Sequence, residues 1–130
     1  MTKVTISEDC DNAPKKQFIK DFNIAFAKED TAFILDCFAD DAHWEMIGGA
    51  SWAGKAAIAE ALQSMDGGEA SELIIDNILS HGRRCAANGV LKYPDGSSVA
   101  YCDIFVFTSH AVDAKIQTLT AYAIEIDKKD

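Results

Sequence analysis

The sequence predicts an α+β fold in which a strongly curved mixed sheet wraps over three helices near the N-terminus and encloses a conical pocket. Three observations carry this. Apolar residues recur with helical spacing up to about Lys28, again after Asp30 and again after Lys55. From residue 72 onward the chain changes to runs rich in β-branched, aromatic and small residues, separated by turn signals. One strand-like stretch, 43–47, is inserted between the second and third helices, so the order is not a simple block of helices followed by a block of strands.

Composition narrows the function classes. At 130 residues the chain is long enough for one sizeable core and too short for two comfortable domains. The net charge of −9, with no Lys/Arg cluster longer than two residues, repels phosphate backbones and anionic lipid surfaces, so neither nucleic acid nor a membrane is an expected partner. No apolar run approaches the roughly 20 residues that a membrane helix requires. Cys10, Cys37, Cys85 and Cys102 lack the close pairing of a zinc site and the N-terminus lacks a signal-peptide pattern, which points to a reducing cytoplasm.

Taken in order, residues 1–13 are polar and acidic, with Val4 and Ile6 the only aliphatic pair spaced for a strand, and read as a flexible arm before a single domain over 14–130. Pro14 suits the first turn of a helix whose apolar side holds Phe18, Phe22, Ile24 and Phe26. Asp30 can cap a second helix carrying Phe33, Ile34, Cys37 and Phe38, folded back on the first, and Asp40 and Asp41 supply the turn chemistry that closes it. The stretch 43–47 then alternates, with Trp44 and Met46 inward and His43 and Glu45 outward. Gly48, Gly49 and Gly54 mark a loop around Trp52, and Ile58, Leu62 and Met65 recur at i, i+4 and i+7 as a third helix. Strands follow over 72–80, 83–93, 97–108 and 114–127, with Pro94, Asp95 and Gly96 as the clearest hairpin turn.

The succession FADDAHWEM, GKAAI, YCDIFVF and KIQTLTAY resembles the nuclear transport factor 2-like superfamily, most closely its SnoaL-like and ketosteroid isomerase-like members. The resemblance runs from about Pro14 to the C-terminus and implies a cystatin-like cone, a small-molecule pocket, no cofactor, and a homodimer formed through the sheet. It implies no single reaction, because the superfamily hosts isomerases, dehydratases, hydrolases, cyclases and pure binding modules. By resemblance to ketosteroid isomerase the general base would stand at Met46, which accepts no proton, and the oxyanion tyrosine at Phe22; only the oxyanion acid, at Asp103, is kept. By resemblance to limonene epoxide hydrolase, an Asp/Arg/Asp set would fall on Asp103, Tyr101 and Ala121, and again only Asp103 is kept.

Asp103 is therefore the central candidate. In YCDIFVF, alternation puts Tyr101, Asp103, Phe105 and Phe107 on one face and Cys102, Ile104 and Val106 on the other. An acid among aromatics that lines a pocket would have its pKa raised by desolvation and could donate a hydrogen bond or shuttle a proton. Asp103 and Tyr101 are the catalytic candidates; Trp44, Met46, Phe22, Trp52, Phe105 and Ala121 are the candidate pocket residues, with Trp52 at the mouth. The competing reading, an Asp satisfied by Tyr and Trp groups inside a packed core, stays open at this level, as does a non-catalytic binding module. Asp40, Asp41 and His43 are more simply explained by helix termination and an outward strand position than by a metal, and no metal is expected. His81, Arg83, Arg84 and His110 fall beside turns and read as solvated. GGASWAG lacks the Lys-Ser/Thr ending of a phosphate loop. The expected ligand is a small apolar, oxygenated molecule.

Overall fold

The computed structural model describes residues 2–6, 13–64 and 68–126. Helix α1 spans Pro14–Lys28, with Pro at the first turn where a missing N–H costs nothing, and buries Ile19, Phe22, Asn23, Ala25 and Ala27. Phe18, Ile24 and Phe26 are only partly covered and pack at the edge of the core. Glu29 ends α1 in a left-handed conformation (φ 58°), its N–H donating to the carbonyls of Ala25 and Phe26. Asp30 then caps α2 (Thr31–Cys37) by accepting from the Phe33 N–H at 3.3 Å. Helix α3 runs Lys55–Ser64 and buries Ile58, Ala61 and Leu62; Met65 lies outside the described residues.

The strands are β1 (Lys3–Ile6), β2 (Phe38–Met46), β3 (Ser51–Ala53), β4 (Glu72–His81), β5 (Arg84–Lys92), β6 (Ser98–Phe107) and β7 (Ile116–Ile126). They form one seven-stranded sheet in the order β1-β4-β5-β6-β7-β2-β3. The β4 to β7 meander is antiparallel, whereas β2 joins β7 in parallel and β1 joins β4 in parallel, so the sheet is mixed, as expected. Its inner face packs on the helices around Phe38, Phe105, Phe107, Ile116 and Leu119. Phe22 meets Phe38 and Phe105 edge-on at 5.9 and 5.7 Å, tying α1 to the sheet floor.

Three expectations change. Residues 3–6 of the stretch read as an arm are tied down as β1, where Lys3 to Ile6 pair with Glu72 to Ile75 and Thr2 Oγ1 donates to the Ala70 carbonyl at 2.7 Å; residues 7–12 lie outside the described residues. Asp40 and Asp41 do not close the helix but belong to β2. A register shift between Phe38 and His43 lets the strand carry extra residues opposite β7, and Gln117 Nε2 donates to Asp41 Oδ1 at 3.1 Å, giving that carboxylate a sheet partner instead of a turn. Trp52 stands in β3, not in a loop: three residues between glycine-bearing turns are too few to show alternation, and they pair as a hairpin with β2, Trp52 opposite Trp44.

Candidate functional site

The site arises from a row of small residues. Asp103 on β6 is flanked in register by Ala87 on β5 and Ala121 on β7, and Tyr101 by Gly89 and Ala123. Larger side chains at Ala121 and Ala123, the two of these that line it, would fill the space above the sheet; with alanine there, a cavity of about 300 Å³ opens, walled by β2, β5, β6, β7 and α1. That volume lies at the small end of the range found for ligand pockets, roughly 300 to 1,000 Å³. Phe22, Asn23, Trp44, Met46, Tyr101 and Asp103 line it, with Ala121 and Tyr93 among the remaining walls. Below Asp103 the next inner position is Phe105, fully buried and stacked on Phe107 with centroids 6.3 Å apart, which forms the floor.

The glycine opposite Tyr101 has a specific reason. A Cβ on Gly89 would stand 1.9 Å from the Ile74 carbonyl oxygen and 3.0 Å from the Tyr101 hydroxyl. The neighbouring strand comes this close because β4 shifts register between Ile75 and Asn77. Gly89 therefore permits both the bulge and the seat of the Tyr101 ring.

The polar atoms of the site are short of partners. Tyr101 Oη and Trp44 Nε1 are buried and have no hydrogen-bond partner among the described residues. A buried, unsatisfied group costs about 1 to 3 kcal/mol, so two in one cavity wall require an explanation. Asp103 keeps a partly exposed surface as a residue, yet its carboxyl lies deep in the cone, and burial pushes its pKa up to about 7. The residues beside it in the sheet are alanines, and no Lys or Arg is among the described residues that line the cavity. Burial, then the Asp103 and Asp76 carboxylates, also raise the Tyr101 phenol well above its usual range, so Tyr101 is a hydrogen-bond donor at any ordinary pH.

Of the pocket residues expected from sequence, Phe22, Trp44, Met46 and Ala121 line the cavity together with Tyr101 and Asp103. Phe105 does not, being sealed beneath them. Trp52 does not cover the mouth; it lies behind Trp44, ring centroids 4.9 Å apart, and supports that wall from the far side. Trp44 is both wall and core, since it also meets Phe26 edge-on at 6.3 Å and stacks on Phe38 at 6.2 Å. Sequence reasoning missed Asn23. It is 5% exposed, its Nδ2 donates to the Ile19 carbonyl at 2.9 Å, and it was signalled by being the one polar residue on the buried stripe of α1. Asp40, Asp41 and His43 are all exposed, and no group of three or more metal-ligating side chains gathers among the described residues.

Among solved structures, an NTF-2 like protein of unknown function from Burkholderia xenovorans LB400 is similar at 18% identity, covering 94% of this chain and 91% of that one, with TM-score 0.74. A putative ketosteroid isomerase from Kribbella flavida is similar at 14% identity, covering 90% and 82%, with TM-score 0.71. An LEH-like epoxide hydrolase from M. tuberculosis is similar at 20% identity, covering 85% and 83%, with TM-score 0.67. These likenesses show the NTF2-like cone. No curated protein matches the sequence. The sequence pattern of the SnoaL-like domain matches residues 19–117, which run from the start of the buried face of α1 through both Trp44 and Asp103 to β7, and on that match the chain belongs to the SnoaL-like domain family.

Proposed function

We propose that the cavity binds a small, largely apolar molecule through a carbonyl or hydroxyl oxygen, and that Asp103 acts on it as a cofactor-independent acid or base, with Tyr101 as a second donor. The observation that carries this reading is a pair of partnerless polar groups, the Tyr101 hydroxyl and the Trp44 N–H, sharing an otherwise largely apolar cavity with a carboxyl whose pKa burial pushes up to about 7. A ligand oxygen would satisfy them. A carboxyl at about 7 is divided between its two protonation states at neutral pH, which suits proton exchange. The reaction classes consistent with a single acid of this kind are isomerisation, cyclisation, dehydration and hydrolysis.

A specific observation favours a second reading, a binding module without catalysis. Met46, on the wall that β2 contributes, cannot take a proton, and Phe22 and Ala121 add no further polar group. Titration with 2-acetylnaphthalene, whose ketone only accepts hydrogen bonds, tests the site common to both readings. Quenching of tryptophan fluorescence is expected because Trp44 lines the cavity, and binding should weaken about tenfold for each pH unit above the Asp103 midpoint. Binding that ignores pH, or no quenching, would remove Asp103 as the donor. The two readings separate afterwards: Asp103→Asn abolishes turnover of a substrate in the first and leaves binding of an acceptor ligand intact in the second.

We further propose a homodimer through the outer sheet face. Leu79 on β4, Ile104 on β6 and Ile124 on β7 are exposed at 61%, 38% and 71%, too much apolar surface on one sheet to remain in water. A two-fold pairing of the same patch would cover it. Sedimentation at tens of micromolar should give the dimer mass; a monomer would count against it. Among the described residues no helix is long and apolar enough to cross a membrane. Cys37, Cys85 and Cys102 are free thiols, which supports a reducing compartment such as the cytoplasm.

A further inference from the structure

A second cavity, about 320 Å³, adjoins the first and shares two of its walls, Phe26 and Tyr93. Its chemistry is different. The inner cavity is apolar apart from the groups already described, whereas the outer one counts Glu29, Thr31 and Gln63 among its lining residues, with Glu29 and Gln63 open to solvent. Tyr93 stands at the end of β5 where the hairpin begins, its N–H donating to the Ser97 carbonyl at 3.0 Å, and is partly buried. Its phenol is raised by burial and then by the Glu29 carboxylate, which places Glu29 within electrostatic reach of the ring that divides the cavities.

Glu29 itself is conspicuous. It is the one non-glycine residue with positive φ among the described residues, at the position ending a helix where glycine adopts the left-handed conformation without strain. An acidic residue held there at a conformational cost, lining the solvent-open outer cavity, suggests a use for its charge.

We propose that the two cavities form one bipartite site, the inner taking the apolar, oxygen-bearing body of the ligand and the outer a tail that ends in an ammonium or another hydrogen-bond-donating group. The tail passes between Phe26 and Tyr93. Phe26 is held edge-on against Trp44, so Tyr93, on the hairpin, is the side chain that turns aside. The ammonium then lies between the Glu29 carboxylate and the face of the Tyr93 ring, both of which attract a cation, while an anionic tail is refused. This inference rests on the small-molecule reading of the inner cavity and adds the substrate class: amphiphiles with a neutral ring body and a basic or hydroxylated tail.

Calorimetric titration with three probes tests it: 2-naphthol, 2-naphthol bearing on its far ring a short alkyl tail ending in an ammonium, and the same tail ending in a carboxylate. The ammonium tail should tighten binding about three- to fivefold over 2-naphthol, the range of a partly solvated charge contact, and the carboxylate tail should weaken it. Glu29→Gln should erase the difference and Glu29→Lys should reverse it, with 2-naphthol unchanged in both as the check that the fold and inner cavity persist. Should Glu29→Lys lose 2-naphthol, Glu29→Gln alone decides. Equal affinities for the two tails in the unaltered protein, with 2-naphthol still bound, would overturn the bipartite site and leave the inner cavity standing. Failure of 2-naphthol to bind would remove both.

Discussion

Replacing Asp103 by Asn should stabilise the protein increasingly as the pH rises. In the folded chain burial pushes the carboxyl up to about 7 from its ordinary value of 3.8. Below 3.8 both the folded and unfolded chains hold the proton, and the residue's ionisation contributes nothing to the pH dependence. Between the two values the unfolded chain releases its proton while the folded chain keeps it, so the unaltered protein loses stability with each step upward in pH. Above about 7 the loss is complete, and at 1.36 kcal/mol per unit it amounts to roughly 4 kcal/mol. Asn lacks this ionisation. Its amide brings a pH-independent offset of about 1 kcal/mol in either direction, depending on what its own donors find. Urea unfolding followed by circular dichroism at pH 4 and pH 8.5 should therefore show the stability difference, variant minus unaltered protein, growing by about 3 to 4 kcal/mol toward the variant. A difference that stays constant, or one that shifts toward the unaltered protein at high pH, would refute the claim that the carboxyl is held in an environment hostile to its charge.

Other substitutions probe the remaining parts of the account. Gly89→Ala should destabilise by more than about 3 kcal/mol in thermal or urea unfolding, because its Cβ would meet the Ile74 carbonyl oxygen at 1.9 Å and only backbone movement relieves that; a near-neutral result would contradict the bulge geometry. Tyr101→Phe removes a buried hydroxyl with no partner among the described residues, so the ligand-free protein should be neutral to about 1 kcal/mol more stable while 2-acetylnaphthalene binding weakens; parallel losses in both would mean the hydroxyl is bonded within the core. Glu29→Gly should raise stability by about 1 kcal/mol, since glycine carries no penalty at φ 58°, and an unchanged or lower melting temperature would show that the Glu29 side chain repays its strain by contacts inside the fold.

The course of the chain was largely legible because its signals are local. Pro14 and Asp30 mark helix starts, and Pro94 to Gly96 closes a hairpin with Asp95 Oδ1 accepting from the Ser97 N–H at 2.8 Å. The period-two alternation in 101–107 put Asp103 and Tyr101 on the inner face, where the structure has them. What was not legible depends on pairing between distant residues. Asp40 and Asp41 look like helix stops in isolation, and only the register between β2 and β7 shows a bulge with Gln117 as partner. Val4 and Ile6 are too short a pattern to announce β1 without knowing that β4 offers a free edge. The cavity itself follows from Ala121 and Ala123 on β7 standing beside Asp103 and Tyr101 on β6, a juxtaposition that no single stretch of sequence displays. The same holds for Phe105, whose alternation matches that of Asp103 but whose depth in the cone makes it floor instead of wall.

A carboxyl-carbon NMR titration of Asp103, assigned by its loss in Asp103→Asn, reads the protonation of the cavity's acid without any ligand or turnover. A midpoint near 7 is expected in the free protein and a higher one with 2-acetylnaphthalene bound, because an acceptor ligand holds the protonated form. A midpoint at or below about 3.9, the value of an unperturbed aspartate, would mean a carboxylate that is well solvated or well paired, and would contradict Asp103 as the acid of this site.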